Sequence, residues 1–145
     1  MNIMQENQTL TDVYVKDLMI PSEKVAHVQV NNPLEHALLV LIKSGYSAVP
    51  VLDTSFKLVG IISKTVILNN ILGLERIEVE KLSEIQVHEV MNEDITVLSK
   101  DDTFIDALKA LINATFVCIA DENGYFDGII TRRAILKQVK RNFYA

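Results

Sequence analysis

The fold of this chain can be deduced from one stretch, Gly128-Ile129-Ile130-Thr131-Arg132-Arg133, in which an apolar run ends at a hydroxyl residue followed by two arginines. This pattern predicts a buried strand that passes directly into a helix. The same pattern occurs earlier, at an offset of 68 residues, as Gly60-Ile61-Ile62-Ser63-Lys64. The chain therefore contains one unit written twice, and a repeat of this size indicates a supersecondary unit that needs its copy to bury its apolar face.

Further segments extend the duplication. They are offset by 72 and by 70 residues: Val15–Met19 with Val87–Met91, and Ala37-Leu38 with Ala107-Leu108. Because the offset shrinks by two residues twice along the chain, the first copy carries two small insertions. We place these insertions around Ile20–Ala26 and around Ser44–Ser47.

Each copy is predicted to run strand, helix, strand, strand, helix. The opening strands and the helices that follow them are Ala26–Val30 with Pro33–Lys43, and Ile95–Leu98 with Thr103–Ile112. A hairpin and a closing helix complete each copy: Ala48–Leu52, Lys57–Ile62 and Thr65–Leu72, then Phe116–Ala120, Tyr125–Ile130 and Arg132–Arg141. Asp102 is the predicted N-cap of the second copy's first helix. The predicted fold class is α/β.

Composition excludes several classes of protein. The chain has 145 residues, of which 49% are hydrophobic, so it can build a core. Its net charge of −5 argues against a general nucleic-acid binder. No apolar stretch approaches the roughly 20 residues of a membrane span, and Met1–Glu6 lacks a signal-peptide pattern. A cytoplasmic protein without nucleic-acid or membrane partners is predicted.

No residue pattern predicts catalysis or a metal site. The single cysteine, Cys118, lies in an apolar run and is expected to be a buried small hydrophobe rather than a reactive thiol. The histidines His27, His36 and His88 do not stand at metal-ligand spacing. No nucleophile motif and no glycine-rich phosphate loop occurs. We therefore predict no catalytic residue, no metal ligand and no enzymatic activity.

The residues after the last strand point to an anion. Thr131, Arg132 and Arg133 begin the closing helix, where backbone N–H groups, a hydroxyl and two guanidinium groups can together hold a phosphate. Cations at a helix N-terminus oppose the helix dipole, so two in succession indicate that an anion is expected there. The alternative interpretation is a solvated helix start without a ligand.

The doubled unit resembles the cystathionine-β-synthase (CBS) domain pair, or Bateman module. The resemblance covers nearly the whole chain and is carried by the Val-x-x-x-Met segments, by Gly45–Val51 and by the two Gly-Ile-Ile-hydroxyl stretches. It implies two tandem CBS repeats, over residues 11–74 and 87–141, joined by a linker over residues 75–86. It also implies a flat, disc-like homodimer with ligand clefts between repeats.

A closer resemblance is to the stand-alone CBS-pair receptors for cyclic di-AMP of Gram-positive bacteria, of the DarB/CbpB type. It is carried by Lys24–Val30, Leu34–Leu41, Gly73–Glu78 and Thr131–Arg133. The resemblance implies that Arg132 and Arg133 contact the phosphates of cyclic di-AMP, with Thr131 assisting. It further implies that the ligand-free form binds a Rel-type (p)ppGpp synthetase and pyruvate carboxylase, and that the ligand blocks this binding.

A segment near the first strand is predicted to read the base. Extended backbone at Lys24, Val25 and Ala26 can pair its C=O and N–H groups with the edge of an adenine, and the small side chain of Ala26 leaves room for the ring. The alternative interpretation is an ordinary lead-in to the strand.

A second segment is predicted to form the wall of the ligand site. The ring of Tyr46 would stack on an adenine, and Ser47 would bond a phosphate or ribose oxygen. Ala48 and Pro50 would shape the apolar surface. The alternative for Tyr46 is a core or interface aromatic.

Two positions bear on which nucleotide is bound. Most CBS domains that bind adenosine mononucleotides have an aspartate three residues after the Ser or Thr, where it holds the ribose hydroxyls. Here these positions are Val66 and Ala134, so AMP would lose a charge-assisted bond of roughly 1.5–3 kcal/mol. A cyclic dinucleotide, whose 3′-oxygen is esterified, has less use for that carboxylate. The alternatives are a sensor of AMP, ADP or ATP, and a structural dimerisation module without a ligand.

Overall fold

The computed structural model describes residues 10–144, which fall into two compact units. The central unit is Ala26–Ile95, and the terminal unit combines residues 10–25 with residues 96–144. The two units do not coincide with the two sequence copies. Each unit takes its opening segment from the other copy, an exchange that the order of the sequence does not indicate.

The elements follow the predicted order in both copies. The first half of the chain contains α1 (Val15–Leu18), β1 (Ile20–Pro21), a 3-10 turn (Ser22–Lys24), β2 (Val28–Gln29), α2 (Leu34–Ser44), β3 (Ala48–Leu52), β4 (Leu58–Ser63) and α3 (Lys64–Ile71). The second half contains α4 (Lys81–Glu84), α5 (Val87–Val90), β5 (Val97–Leu98), α6 (Phe104–Ala110), β6 (Phe116–Ala120), β7 (Phe126–Thr131) and α7 (Arg132–Tyr144). The opening strands β2 and β5 are shorter than predicted, and α7 continues beyond Arg141.

The central unit is built on a three-stranded sheet in the order β2-β3-β4. Strand β2 runs parallel to β3, and β3 pairs antiparallel with β4. Helix α2 turns its apolar stripe, Leu34, Ala37 and Leu41, into the core. The buried cluster is completed by Val28, Val49, Val51, Ile62, Ile67 and Val87.

The terminal unit repeats this arrangement with one strand added. Its sheet has the order β1-β7-β6-β5, with β5 parallel to β6 and the other two pairs antiparallel. Phe104 and Ala107 of α6 lie in the core, as does Leu111, the C-cap residue that follows the helix. They pack with Val15, Leu98, Val117, Ile119, Ile130 and Ile135.

The exchanged opening segments are held by equivalent contacts in the two units. In the terminal unit Tyr14 bridges to Thr103, and Ile20 pairs with Ile129. In the central unit the matching bridges are Gln86 with Pro33, and Asn92 with Ile61. The first apolar residue of each segment, Val15 or Val87, is fully buried in the unit that receives it. The exchange is therefore part of both hydrophobic cores.

The N-cap of α6 is Thr103, so the prediction of Asp102 was wrong by one residue. The Thr103 hydroxyl accepts a hydrogen bond from the Asp106 N–H at 3.2 Å, and the Asp106 carboxylate accepts one from the Thr103 N–H at 3.0 Å. The Thr103 hydroxyl also donates to the Asp106 carboxylate at 2.9 Å, and the bonds from the N–H and the hydroxyl of Thr103 to this carboxylate lower the pKa of Asp106. Asp102 instead accepts from the Ser99 N–H in the preceding turn, at 2.8 Å.

The linker between the copies carries paired charges. Arg76 and Glu80 form a hydrogen-bonded ion pair, which lowers the pKa of Glu80 to about 2. Lys81 and Glu78 form a second pair, with 2.8 Å between Nζ and a carboxylate oxygen. The first pair lies within the loop that precedes α4, and the second joins that loop to the first residue of the helix.

The structure tests the prediction that Cys118 is buried. Cys118 is buried in β6, and burial raises the pKa of its thiol to about 12, so it is a core residue as predicted. Between residues 10 and 144, no helix has both the length and the apolar character that crossing a bilayer requires.

Candidate functional site

The candidate site begins where β7 passes into α7. The Thr131 hydroxyl accepts a hydrogen bond from the Ala134 N–H at 3.1 Å and so caps the helix. The Arg132 N–H donates to the Thr115 carbonyl at 2.9 Å, which ties the helix start to the entry of β6. This junction fixes the direction in which the first residues of α7 leave the sheet.

The central unit contains the same junction. The Ser63 hydroxyl accepts from the Val66 N–H at 3.1 Å, and the Lys64 N–H donates to the Ser47 carbonyl at 3.0 Å. Val66 and Ala134, the positions without a carboxylate, therefore stand at equivalent places one turn into α3 and α7. Neither side chain can accept a hydrogen bond from a ribose hydroxyl.

Arg132 has a structural role that its sequence position did not indicate. Its Nε donates to the Leu111 carbonyl at 3.1 Å and its Nη2 to the Ile112 carbonyl at 3.2 Å. These carbonyls follow the last turn of α6, so the guanidinium caps the C-terminus of that helix. The predicted phosphate contact of Arg132 stays a prediction, with only part of the guanidinium available for it.

Replacing Arg132 by methionine is expected to destabilise the protein by about 1–2 kcal/mol, since the two capped carbonyls lose a charged donor. Chemical denaturation followed by circular dichroism measures this change. Arg133→Met is the matched control, because it removes the same charge from the neighbouring residue and leaves both carbonyls capped. Equal stability of the two variants would contradict the capping role.

Arg133 is available for a ligand. Its side chain is exposed, and within residues 10–144 it has no ion pair and no side-chain hydrogen bond. It borders a cavity of about 490 Å³ whose lining we call the basic groove: Thr115, Thr131, Arg132, Arg133, Leu136, Lys137 and Lys140. Four of these seven residues are cationic, and Leu136 with the aliphatic stems of the long side chains supplies apolar surface.

Sequence reasoning missed four residues of the basic groove: Thr115, Leu136, Lys137 and Lys140. The two lysines follow Arg133 by four and seven residues, which is the spacing of one helix face. That spacing was a usable signal once the helix was predicted. Thr115 could not be found in this way, because only the pairing of β6 with β7 brings it to the start of α7.

The predicted base-reading segment spans the point in the chain where the terminal unit ends, at Val25, and the central unit begins, at Ala26. Lys24 ends the 3-10 turn and is exposed, while Val25 is buried and its N–H donates to the Ser22 carbonyl at 3.1 Å. The turn packs against β7, the strand that ends at Thr131. The terminal unit thus brings Lys24 and Val25 to the strand that carries the groove, whereas Ala26 packs half-buried on the core of the central unit.

The predicted wall segment lies in the central unit. Tyr46 is 42% exposed and so is not a core aromatic of this unit, and its N–H donates to the Ser44 hydroxyl at 3.3 Å. Ser47 is exposed and joined to Lys64 through its carbonyl, and Ala48 pairs with Ser63. Pro50 is buried in β3. That these residues and the basic groove contact one ligand stays a prediction.

No group of three or more His, Cys, Asp or Glu side chains within residues 10–144 is arranged to hold a metal ion. The electrostatic character of the candidate site comes from its cations alone. Such a site suits a phosphate-bearing ligand.

The doubled unit matches the CBS domain over residues 15–73 and again over residues 87–141. The chain therefore belongs to the CBS domain family and has the mixed α/β fold with two CBS repeats that the sequence predicted.

Three proteins with high sequence identity show which members of the CBS family this chain is similar to. The chain is 48% identical over 140 residues to Cyclic di-AMP receptor B of Bacillus subtilis (strain 168), covering 97% of this chain and 95% of that protein. It is 58% identical, with a TM-score of 0.88, to a CBS domain-containing protein of unknown function from Bacillus anthracis, covering 93% of this chain and 98% of the other. It is 50% identical, with a TM-score of 0.82, to CbpB of Listeria monocytogenes in complex with c-di-AMP, covering 88% and 95%. The chain is thus a homologue of cyclic di-AMP receptors.

Proposed function

We propose that this protein is a receptor for cyclic di-AMP. The observation that carries the proposal is the 48% identity to Cyclic di-AMP receptor B, which extends over nearly the full length of both chains. The likeness to CbpB in its c-di-AMP complex supports it. A ligand site shared by such relatives needs the same fold around it, and the duplicated unit supplies that fold.

The basic groove agrees with this ligand in charge. Cyclic di-AMP carries two phosphodiester charges, and the groove presents an exposed guanidinium, Arg133, in a chain whose net charge is −5. A local cluster of cations on an acidic protein selects for a specific anion rather than for nucleic acid in general. The uncharged side chains at Val66 and Ala134 favour a nucleotide whose ribose 3′-oxygen is already esterified.

Calorimetric titration of the purified protein with cyclic di-AMP tests the proposal. We expect saturable binding of one ligand per chain, with AMP and ATP binding at least tenfold more weakly because they lack a ribose anchor of roughly 1.5–3 kcal/mol. An absence of heat with cyclic di-AMP, confirmed by an unchanged melting temperature, would overturn the proposal. Tighter binding of AMP would replace it with an adenosine-nucleotide sensor.

The receptor is inferred to act in the cytoplasm as a regulator without catalytic activity. By the family resemblance, the ligand-free form binds a Rel-type (p)ppGpp synthetase and pyruvate carboxylase, and cyclic di-AMP prevents this binding. Such a switch requires that ligand and partner favour different states or compete for one surface.

A homodimer is expected because apolar side chains are exposed on α2, on α6 and just after α6: Leu39, Ile42, Ile105, Leu108 and Ile112.

A further inference from the structure

Helix α7 carries more positive charge than its fold requires. Its sequence holds five basic residues and no acidic one: Arg132, Arg133, Lys137, Lys140 and Arg141. Arg133, Lys137 and Lys140 follow one face at helical spacing, and all three line the basic groove. No ion-pair partner for any of them occurs among residues 10–144. Like charges one turn apart repel, so this row disfavours the helix when the groove is empty.

The duplication provides an internal comparison for this row of charges. At the offset of 68 residues, the counterparts of Arg133, Lys137 and Lys140 on α3 are Thr65, Asn69 and Leu72, none of which is charged. Both helices are capped by an equivalent hydroxyl bond, and each is the closing helix of its own copy. Since α3 forms without the charges, folding does not explain them on α7, and a ligand specific to the second copy does.

The two arginines at the start of α7 are not equivalent toward that ligand. The guanidinium of Arg132 already donates to the carbonyls of Leu111 and Ile112, whereas Arg133 has no such engagement. Lys137 lies about one helical turn, or roughly 5.4 Å along the axis, beyond Arg133 on the same face. The two phosphates of a cyclic dinucleotide are separated by one sugar on each side, which is a spacing of the same order.

We propose that Lys137 binds the second phosphate of cyclic di-AMP, so that Arg133 and Lys137, rather than the Arg132–Arg133 pair, form the phosphate-binding edge of the groove. Lys140 continues this edge by a further turn. The inference rests on the proposed function, because it assigns the ligand's second charge within the same site. The assignment also accounts for selectivity against AMP, since AMP carries a single phosphate and leaves Lys137 without a partner.

Titration of Lys137→Asn with cyclic di-AMP tests this assignment. The change introduces the residue that the first copy carries at the equivalent position, so the fold is compatible with it. We expect affinity to fall about tenfold, the loss of one charge-assisted contact, and to become less sensitive to salt. Lys137→Arg retains the charge and is expected to stay within about threefold of the unsubstituted protein. Lys109→Asn, an exposed lysine of α6 outside the groove, is the matched control and is expected to change nothing.

The outcomes separate the inference from the proposed function. If the unsubstituted protein binds cyclic di-AMP and Lys137→Asn binds it equally well, the assignment of Lys137 is wrong and the receptor function stands. If Lys109→Asn weakens binding as much as Lys137→Asn, the effect is one of net charge and the assignment is again wrong. If the unsubstituted protein does not bind at all, the proposed function fails and the inference fails with it.

Discussion

Substituting Arg133 by threonine is expected to weaken cyclic di-AMP binding by between tenfold and about a hundredfold. The guanidinium offers a phosphate two parallel charge-assisted hydrogen bonds, and a contact of this kind contributes roughly 1.5–3 kcal/mol. Threonine is the residue at the equivalent position of α3, Thr65, so the helix start accepts it. Calorimetric titration of the variant beside the unsubstituted protein measures the change.

Stability and charge serve as controls for this variant. Removing a cation from a helix N-terminus relieves its opposition to the dipole, so Arg133→Thr is expected to be at least as stable as the original chain. Arg133→Lys keeps the positive charge but loses the planar guanidinium. Its affinity for cyclic di-AMP should lie between those of Arg133→Thr and the unsubstituted protein. If Arg133→Thr bound cyclic di-AMP with unchanged affinity, the proposed contact between Arg133 and a phosphate would be wrong.

Gly128→Ala is expected to destabilise the protein by about 3–5 kcal/mol, a large part of the stability of a typical domain. A Cβ at this position would lie 2.1 Å from the carbonyl oxygen of Ile20 and 3.0 Å from Cγ of Met19. The residue also has a φ of +155°, which disfavours any side chain. Strand β1 would have to separate from β7. Because β7 ends at Thr131, we expect ligand binding to weaken together with stability. Denaturant titration gives the free energy of unfolding.

Substitutions of two other glycines serve as comparisons for the destabilisation expected from Gly128→Ala. Gly45 ends α2 with a φ of +77°, and a Cβ there would meet no atom within 4 Å, so Gly45→Ala should cost only about 1 kcal/mol. Gly60 is the counterpart of Gly128, and its Cβ would lie 2.8 Å from the carbonyl oxygen of Asn92. Gly60→Ala should therefore fall between the other two. If Gly128→Ala were no worse than Gly45→Ala, close approach of β1 would not be what the glycine permits.

Local structure was predictable where an element has a strong apolar pattern of its own. The apolar spacing of Leu34, Ala37 and Leu41 placed α2 to within one residue at each end, and the runs in β3 and β6 were predicted with their observed bounds. The N-cap of α6 was misassigned because Asp102 and Thr103 are both good capping residues. The choice depended on Asp102 being engaged by Ser99.

The candidate site was predictable only in part. Thr131, Arg132 and Arg133 were identified because two successive cations at a helix start oppose the helix dipole, and all three line the groove. The capping role of Arg132 was not predictable, since the carbonyls it reaches are about twenty residues away in sequence. Lys137 was not predicted as a groove residue, although it lies four residues after Arg133 on the same helix face.

By itself, the sequence determined that one α/β unit occurs twice, which elements each copy contains, and that its cations concentrate after the second strand-to-helix junction. These properties depend on periodicity and on side-chain chemistry, which are features of residues close together in the sequence. The tertiary structure alone decided that the opening segments exchange between units, and that Arg132 caps a helix whereas Arg133 makes no such bond. Those outcomes depend on which hydrogen bonds and apolar contacts distant segments can make once packed, and spacing along the chain does not record them.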